Sequence, residues 1–386
     1  MDLFYDIYDK SLKKTGEELC GDSVKISRVN GKTVAVLSDG LGSGVKANIL
    51  ATLTSEIVNT MLNNEVPLEE VIRTVLGTLP ICQVRQMAYA TFTVLEIDEK
   101  KNKFKVINSD NPPIFYLRSG KITRIERQKQ LILGREVMAY EGDLQHGDFI
   151  GMATDGVLYA GLGKTMNFGW GWENIGEFLE QTLMAKEMSS EEVVSSLLDE
   201  TEVLYGGDIG DDATFVGMQV REKRKLIVFT GPPIDRSKDP RVVDEFMRFD
   251  GKKVVCGGTT ANILSTYLNT PIETDIESMS EEVPPIGKMK GVDLLTEGII
   301  TLAKVIECLK KGKKISSNVR CGNNGALSLL SEMLYADHIV FFVGRTINPF
   351  YQNPLLPKNI SIRVSLVNEL ADLLRDLRKD VLVRLF

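Results

Sequence analysis

The chain has 386 residues, of which 43% are hydrophobic and 26% charged, with a formal net charge of -7. That is a globular balance with apolar mass for about two domains, and it excludes disordered, collagen-like and disulfide-stapled classes. A global excess of acid disfavours a nucleic-acid partner, and no apolar run approaches the ~20 residues needed to span a bilayer.

The N-terminal stretch MDLFYDIYDKSLKK lacks the apolar segment of a secretion signal, so a cytoplasmic protein with no membrane partner is expected. Lys32–Ser38 reads as a strand that ends at Asp39 in a glycine-rich turn, SDGLGSG. A helix should follow, with Val45, Ile49, Leu50, Leu53, Ile57 and Met61 along one apolar face. A second helix is expected over Pro67–Leu79, with Pro67 near its first turn.

Strand signals then come in series. Tyr89–Ile97 and Phe104–Asn108 flank a charged turn, and Ile114–Arg118 and Ile122–Ile125 flank Ser119-Gly120, a hairpin signal. Asp148–Thr154 is apolar and stops at Asp155. Ser190–Leu204 is helical, with Val193, Val194, Leu197 and Leu198 on its buried face, and Ala213–Val220 is another strand. Strands in hairpin-like series with intervening helices argue for an α+β domain with antiparallel sheets over residues 1–222. REKRK (221–225) marks a boundary. Residues 226–386 alternate apolar strands with helical stretches, which predicts a smaller α/β domain with parallel strands.

The chemistry lies in four aspartates that share one context. Asp22 stands in CGDS, Asp39 in SDG, Asp155 in TDG and Asp211 in GDDAT, each at the edge of an apolar run beside glycine or another turn residue. Glycine permits the sharp turn and the close approach of a ligand. One Asp-Gly after a strand is ordinarily a turn. Four at successive strand ends would repel one another unless a cation neutralised them, and oxygen ligands select hard ions such as Mg²⁺ or Mn²⁺. Only two histidines, His146 and His338, are present to offer another route. His146 reads as part of a solvated turn. The five cysteines lack metal-site spacing and read as free thiols, and Cys20 lacks the arginine-ended loop of a cysteine phosphatase.

In this order the motifs GDS, SDGLGSG, NSDNPPIFYL, ATDGV and GDDAT resemble the PPM family of metal-dependent protein phosphatases, in its bacterial branch typified by stage II sporulation protein E, over about residues 15–220. The resemblance implies a β-sandwich flanked by helices with two Mn²⁺ or Mg²⁺ ions at one end. It implies that Asp39 bridges the metals, that Gly40 offers its carbonyl, and that Asp155 and Asp211 bind metal. Asp212 stands where the family has Asn, so the division of roles between Asp211 and Asp212 is open. Asp22 is a near-site carboxylate, with direct metal ligation by Asp22 and Asp212 left open. Arg28 is the nearest arginine for a phosphate-binding role, and the role is not assigned to it. The implied activity is hydrolysis of a phosphoserine or phosphothreonine by a metal-activated water, with Asp39, Asp155 and Asp211 as catalytic residues. The implied substrate is a regulatory phosphoprotein resembling an anti-sigma-factor antagonist. The alternatives are a catalytically silent module that binds a phosphoprotein, and a carboxylate-metal nuclease that the net charge disfavours. A homodimer is left open.

In the second domain, Gly257-Gly258-Thr259-Thr260 joins a strand to a helix. A tight turn is the plainer reading, and a phosphate or nucleotide site at the helix N-terminus is the alternative. Thr296-Glu297-Gly298, in a helix-like stretch, and Arg320–Gly325 could add polar groups. A small ligand or partner of this domain would then regulate the phosphatase.

Overall fold

Strand after strand of the N-terminal half carries apolar residues on both faces, so its sheets must be covered on both sides. The computed structural model describes residues 2–78, 90–185, 188–275, 286–311, 325–346 and 362–386. Two units are distinguished, Met1–Glu222 and Lys223–Phe386. The first begins with β1 (Leu3–Leu12), β2 (Asp22–Val29), β3 (Lys32–Gly40), α1 (Gly44–Asn63) and α2 (Leu68–Thr78). It continues with β4 (Ala90–Asp98), β5 (Lys103–Ser109), β6 (Phe115–Arg118), β7 (Lys121–Ile122), β8 (Gln128–Ile132) and β9 (Arg135–Asp143). It ends with β10 (Phe149–Ala153), α3 (Asp155–Leu158), α4 (Trp172–Ala185), α5 (Ser190–Tyr205) and β11 (Ala213–Glu222).

One antiparallel sheet has the order β1-β11-β10-β6-β7 and the other β2-β3-β4-β5-β9-β8. Their inner faces share one core, with Ala35, Leu37, Leu95, Ile97 and Val106 from the second sheet against Ile150, Met152, Val216, Met218 and Val220 from the first. The alternate residues point outward. Val34, Val36, Phe92 and Val94 pack with α1 and α2, whereas Phe115, Phe149 and Phe215 pack with α4 and α5. The unit is therefore an α+β sandwich with helices on both outer faces. The Ser119-Gly120 hairpin forms as expected, with positive φ at both residues, which is the type I′ pattern. A capping box of Ser189 and Glu192 starts α5, and left-handed Gly206 stops it.

One element was not anticipated, and one expectation needs correction here. The N-terminal stretch is a strand, β1, paired along its whole length with β11. α1 forms, but with its expected apolar face outward: Val45, Ile49 and Leu53 are half or more exposed. Its buried face is Ala47, Ala51, Thr54, Ser55, Val58 and Leu62. Small residues are required because a Cβ on Gly40 would lie only 2.0 Å from the carbonyl oxygen of Ala47. Ile57 and Met61 still reach the core edge. The expected ends Leu79 and Tyr89 lie outside the described residues, as do Cys82, Cys321 and the 320–324 segment.

The second unit contains β12 (Lys225–Thr230), α6 (Asp239–Met247), β13 (Lys252–Cys256), α7 (Gly258–Leu268), β14 (Glu273–Asp275) and β15 (Ile286–Met289). It closes with β16 (Val292–Thr296), α8 (Ile299–Lys310), α9 (Gly325–Tyr335), β17 (His338–Val343), α10 (Ile362–Asp376) and β18 (Asp380–Leu385). Its sheet runs β14-β15-β16-β13-β12-β17-β18, and the five strands from β16 to β18 are parallel. Parallel strands buried on both faces explain their unbroken apolar runs. α8, α9 and α10 cover one face, and α6 and α7 cover the other. Thr296-Glu297-Gly298 is not helical: Thr296 ends β16 and Gly298 is the N-cap of α8.

The reversed face of α1 gives a direct test. Leu62→Ala, at a buried position, should cost about 2–5 kcal/mol in denaturant unfolding, whereas Ile49→Ala should stay within about 0.5 kcal/mol. Equal losses would contradict the orientation of the helix.

Candidate active site

Antiparallel pairing brings distant segments to one end of the sandwich. β2 begins where β3 ends, so Asp22 lies directly opposite Asp39. β10 ends where β11 begins, and the Thr154 N–H donates to the carbonyl of Thr214 at 3.0 Å. Asp155 then opens α3, and Asp211-Asp212 precede β11.

Two hydrogen bonds join the edges of the two sheets. The Thr154 hydroxyl donates to Asp22 Oδ2 at 2.9 Å, and the Gly21 N–H donates to Asp212 Oδ2 at 2.8 Å. The same threonine oxygen accepts the N–H of Thr214 at 2.9 Å, and Asp212 Oδ1 accepts the N–H of Lys14 at 3.0 Å. Asp212 is therefore already engaged through both oxygens. The Asp211 Oδ1 accepts the N–H of Asp212 at 3.0 Å. Tyr205 donates its hydroxyl to the Gly156 carbonyl at 2.7 Å, which fixes the turn behind Asp155. A Cβ on Gly156 would fall 2.0 Å from the Asp212 carbonyl oxygen, so only glycine fits there.

Asp22, Asp39, Asp155, Asp211 and Asp212 thus gather at one edge with Gly40 among them. Their ionisation reflects it. Burial raises the Asp39 carboxyl far above the usual carboxylate range, and the charges of Asp22, Asp155, Asp211 and Asp212 add to the rise. Burial likewise raises Asp22, against the hydrogen bonds of Thr214 and Thr154, with Asp212 and Asp155 adding to it. Asp155 is raised by burial and by Asp211. Asp211 is raised by burial, opposed by the backbone hydrogen bond from Asp212.

The donor set suits a hard divalent cation. Asp22 Oδ1 is buried with no hydrogen-bond partner among the described residues, and a cation would offset the mutual repulsion of the crowded carboxylates. Among the described residues, no three His, Cys, Asp or Glu side chains form a ready-made ligand group. Carboxylate and carbonyl oxygens are ligands of hard ions such as Mg²⁺ or Mn²⁺. Asp39, Asp155 and Asp211, with the Gly40 carbonyl, are the groups available to hold such ions.

Other candidates fall away. His146 is exposed before the start of β10, at the end opposite Asp155. Arg28 donates to the Tyr5 carbonyl and lies 4.5 Å over the Phe4 ring, well along β2 from Asp22. The Cys20 thiol is pushed up to about 12, first by burial and then by Asp22, so it is a poor nucleophile. Thr154 and Tyr205 are site residues that the sequence reading passed over. The position of Thr154 immediately before Asp155 was the available signal, whereas nothing local marks Tyr205.

Residues 30–221 match the family described as Stage II sporulation protein E (SpoIIE), and this part of the chain belongs to that family of PP2C-type phosphatases. Stage II sporulation protein E of Bacillus subtilis (strain 168) is 22% identical over 212 residues, which cover 54% of this chain. The match spans only 24% of that relative's length. The solved PP2C phosphatase domain of the Bacillus subtilis protein, with a fragment of its regulatory domain, is 20% identical with a TM-score of 0.48, over 57% of this chain and 64% of that one. The RsbU and RsbW domains of a Mycobacterium tuberculosis protein are 19% identical with a TM-score of 0.46, over 63% and 68% of the two chains.

Raised carboxyl values fix a sign for pH. A carboxyl whose folded value exceeds its unfolded one binds more protons in the native state, so stability falls as pH rises from the unfolded value through the folded one. In chelator, the melting temperature should fall between about pH 5 and about pH 9. Excess Mn²⁺ should raise it more at the upper end. A chelator profile that rises over this range would contradict the assembled cluster.

Proposed function

We propose that this protein is a metal-dependent protein serine/threonine phosphatase. The observation that carries the reading is the convergence of Asp39, Asp155 and Asp211 at the sandwich edge, each raised by burial and by its acidic neighbours. The family of residues 30–221 supports the same chemistry. Asp39, Asp155, Asp211 and the Gly40 carbonyl would hold two Mn²⁺ or Mg²⁺ ions, with Asp22 and Asp212 behind them. Bound there, such ions supply positive charge for the phosphoryl oxygens and acidify a water.

The chain's own residues do the positioning. Thr154 holds Asp22, and Gly21 and Lys14 hold Asp212, which ties together the segments that carry Asp39, Asp155 and Asp211. Tyr205 and the close contact at Gly156 fix the first turn of α3, which carries Asp155. No covalent nucleophile is needed, which agrees with the unreactive Cys20. Phosphoryl transfer rests on placement and charge, and a fixed carboxylate edge supplies the placement.

We infer a cytoplasmic enzyme; no described helix is long and apolar enough to cross a membrane. Its substrate class is a phosphoserine or phosphothreonine on a regulatory protein, of the anti-sigma-factor antagonist type.

Wild-type protein with Mn²⁺ should hydrolyse p-nitrophenyl phosphate and a phosphoserine peptide. Charge stabilisation by metal is worth several kcal/mol, so Asp39→Asn should lower kcat/KM by at least about a hundredfold. Equal, metal-independent activity of the two proteins would sink the assignment. Metal binding and phosphoprotein capture with no turnover would identify a silent module instead.

A further inference from the structure

A doubly wound sheet opens a crevice beyond the carboxyl ends of its strands, at the point where the chain leaves in opposite directions. In the second unit that point lies between β12 and β17. From β12 the chain runs outward to β13 and β16, and from β17 it runs the other way to β18.

The strand ends there turn polar on the face covered by α8, α9 and α10. Leu226 and Val228 of β12 lie in that core, and the period of two puts Thr230 on the same face at the strand's end. Thr230 is fully buried, and its hydroxyl has no partner among the described residues. α8 packs against both α9 and α10, over the middle of the sheet. Thr301, in its first turn, is also fully buried with a hydroxyl that has no partner among the described residues. Glu297, between β16 and α8, keeps a buried Oε2 without a hydrogen-bond partner among the described residues. A buried oxygen without a partner destabilises a fold, and three at one sheet edge are not explained by packing.

Two further features point to an anion. Gly257 and Gly298 are the N-caps of α7 and α8, neither with a side chain to accept the first-turn N–H groups. A Cβ on Gly298 would lie 3.3 Å from the Cα of Gly257, so the two helix N-termini abut. Arg363, in the first turn of α10, crosses the switch point. Its Nη1 donates to the carbonyls of Gly344 and Thr346, each at 3.2 Å, and a Cβ on Gly231 would lie 2.2 Å from that nitrogen. Glu297 lies within electrostatic reach of the same guanidinium.

We propose that the carboxyl edge of this sheet binds a nucleotide. Its phosphate sits at the joined N-termini of α7 and α8 beside Arg363, and a ribose hydroxyl or base amine donates to Glu297. The hydroxyls of Thr230 and Thr301 find their partners in the ligand. Inorganic phosphate offers the anion but no ribose or base to extend from the helix N-termini to the carboxylate, which is why a nucleotide fits better.

The test is calorimetric titration of the full chain with ATP, GTP, NAD⁺ and inorganic phosphate in the presence of Mg²⁺. Wild type and Asp39→Asn should bind at least one nucleotide alike, more tightly than inorganic phosphate. Thr301→Val should weaken that binding at least tenfold without lowering the melting temperature of the free protein, since it replaces an unpaired hydroxyl by a methyl of similar size. Glu297→Gln should weaken nucleotide binding at least tenfold and leave any phosphate binding unchanged. The proposal is overturned if no nucleotide binds, if phosphate binds as tightly, or if binding survives both substitutions. Loss of binding in Asp39→Asn would place the ligand in the first unit and overturn it equally.

Discussion

Five carboxylates at one edge of a sandwich repel one another, and the first unit is built to hold them there. The restraint is a pair of hydrogen bonds between the sheets, from Thr154 to Asp22 and from Gly21 to Asp212. Each spans well over a hundred residues of sequence and rests on the register of the strands that carry its partners. The shared core of the inner faces supplies the energy for that pairing, at about 1.5–3 kcal/mol for each large apolar side chain fully buried. Part of that gain offsets the desolvation of Asp22 and Asp39.

The same restraint explains where bulk is forbidden. Gly40 meets the backbone of Ala47, and Gly156 meets the backbone of Asp212. Close approach of backbones brings the acidic loops together, and it selects small residues on the facing side of α1. The larger residues of that helix are left outside. Thr154 serves both roles at once, accepting a backbone N–H and holding a carboxylate.

Much of this was legible in the sequence. Strand runs that stop at Asp39 and Asp155 marked the edge, and Val193, Val194, Leu197 and Leu198 marked the buried face of α5. The continuous apolar runs after residue 225 indicated parallel strands. The orientation of α1 was not legible, because apolar period reveals a helix but not which side a neighbouring glycine will admit. β1 was missed because its polar and aromatic residues alternate without a wholly buried face; only Tyr5 among them is buried. Tyr205 could not be found, since its partner is a backbone carbonyl forty-nine positions away. The polar edge of the second unit was seen at Gly257-Gly258 and at Thr296-Glu297-Gly298. Thr230, Thr301 and Arg363 join it through strand order, which no local pattern encodes.

The central claim is that the gathered aspartates hold divalent cations rather than merely sharing protons. Anomalous diffraction from crystals of the full chain grown with Mn²⁺ tests it most directly. The account predicts two manganese peaks at the sandwich edge, with Asp39 touching both and Asp155 and Asp211 each touching at least one. An edge without manganese at saturating concentration, with the ions bound elsewhere, would contradict it.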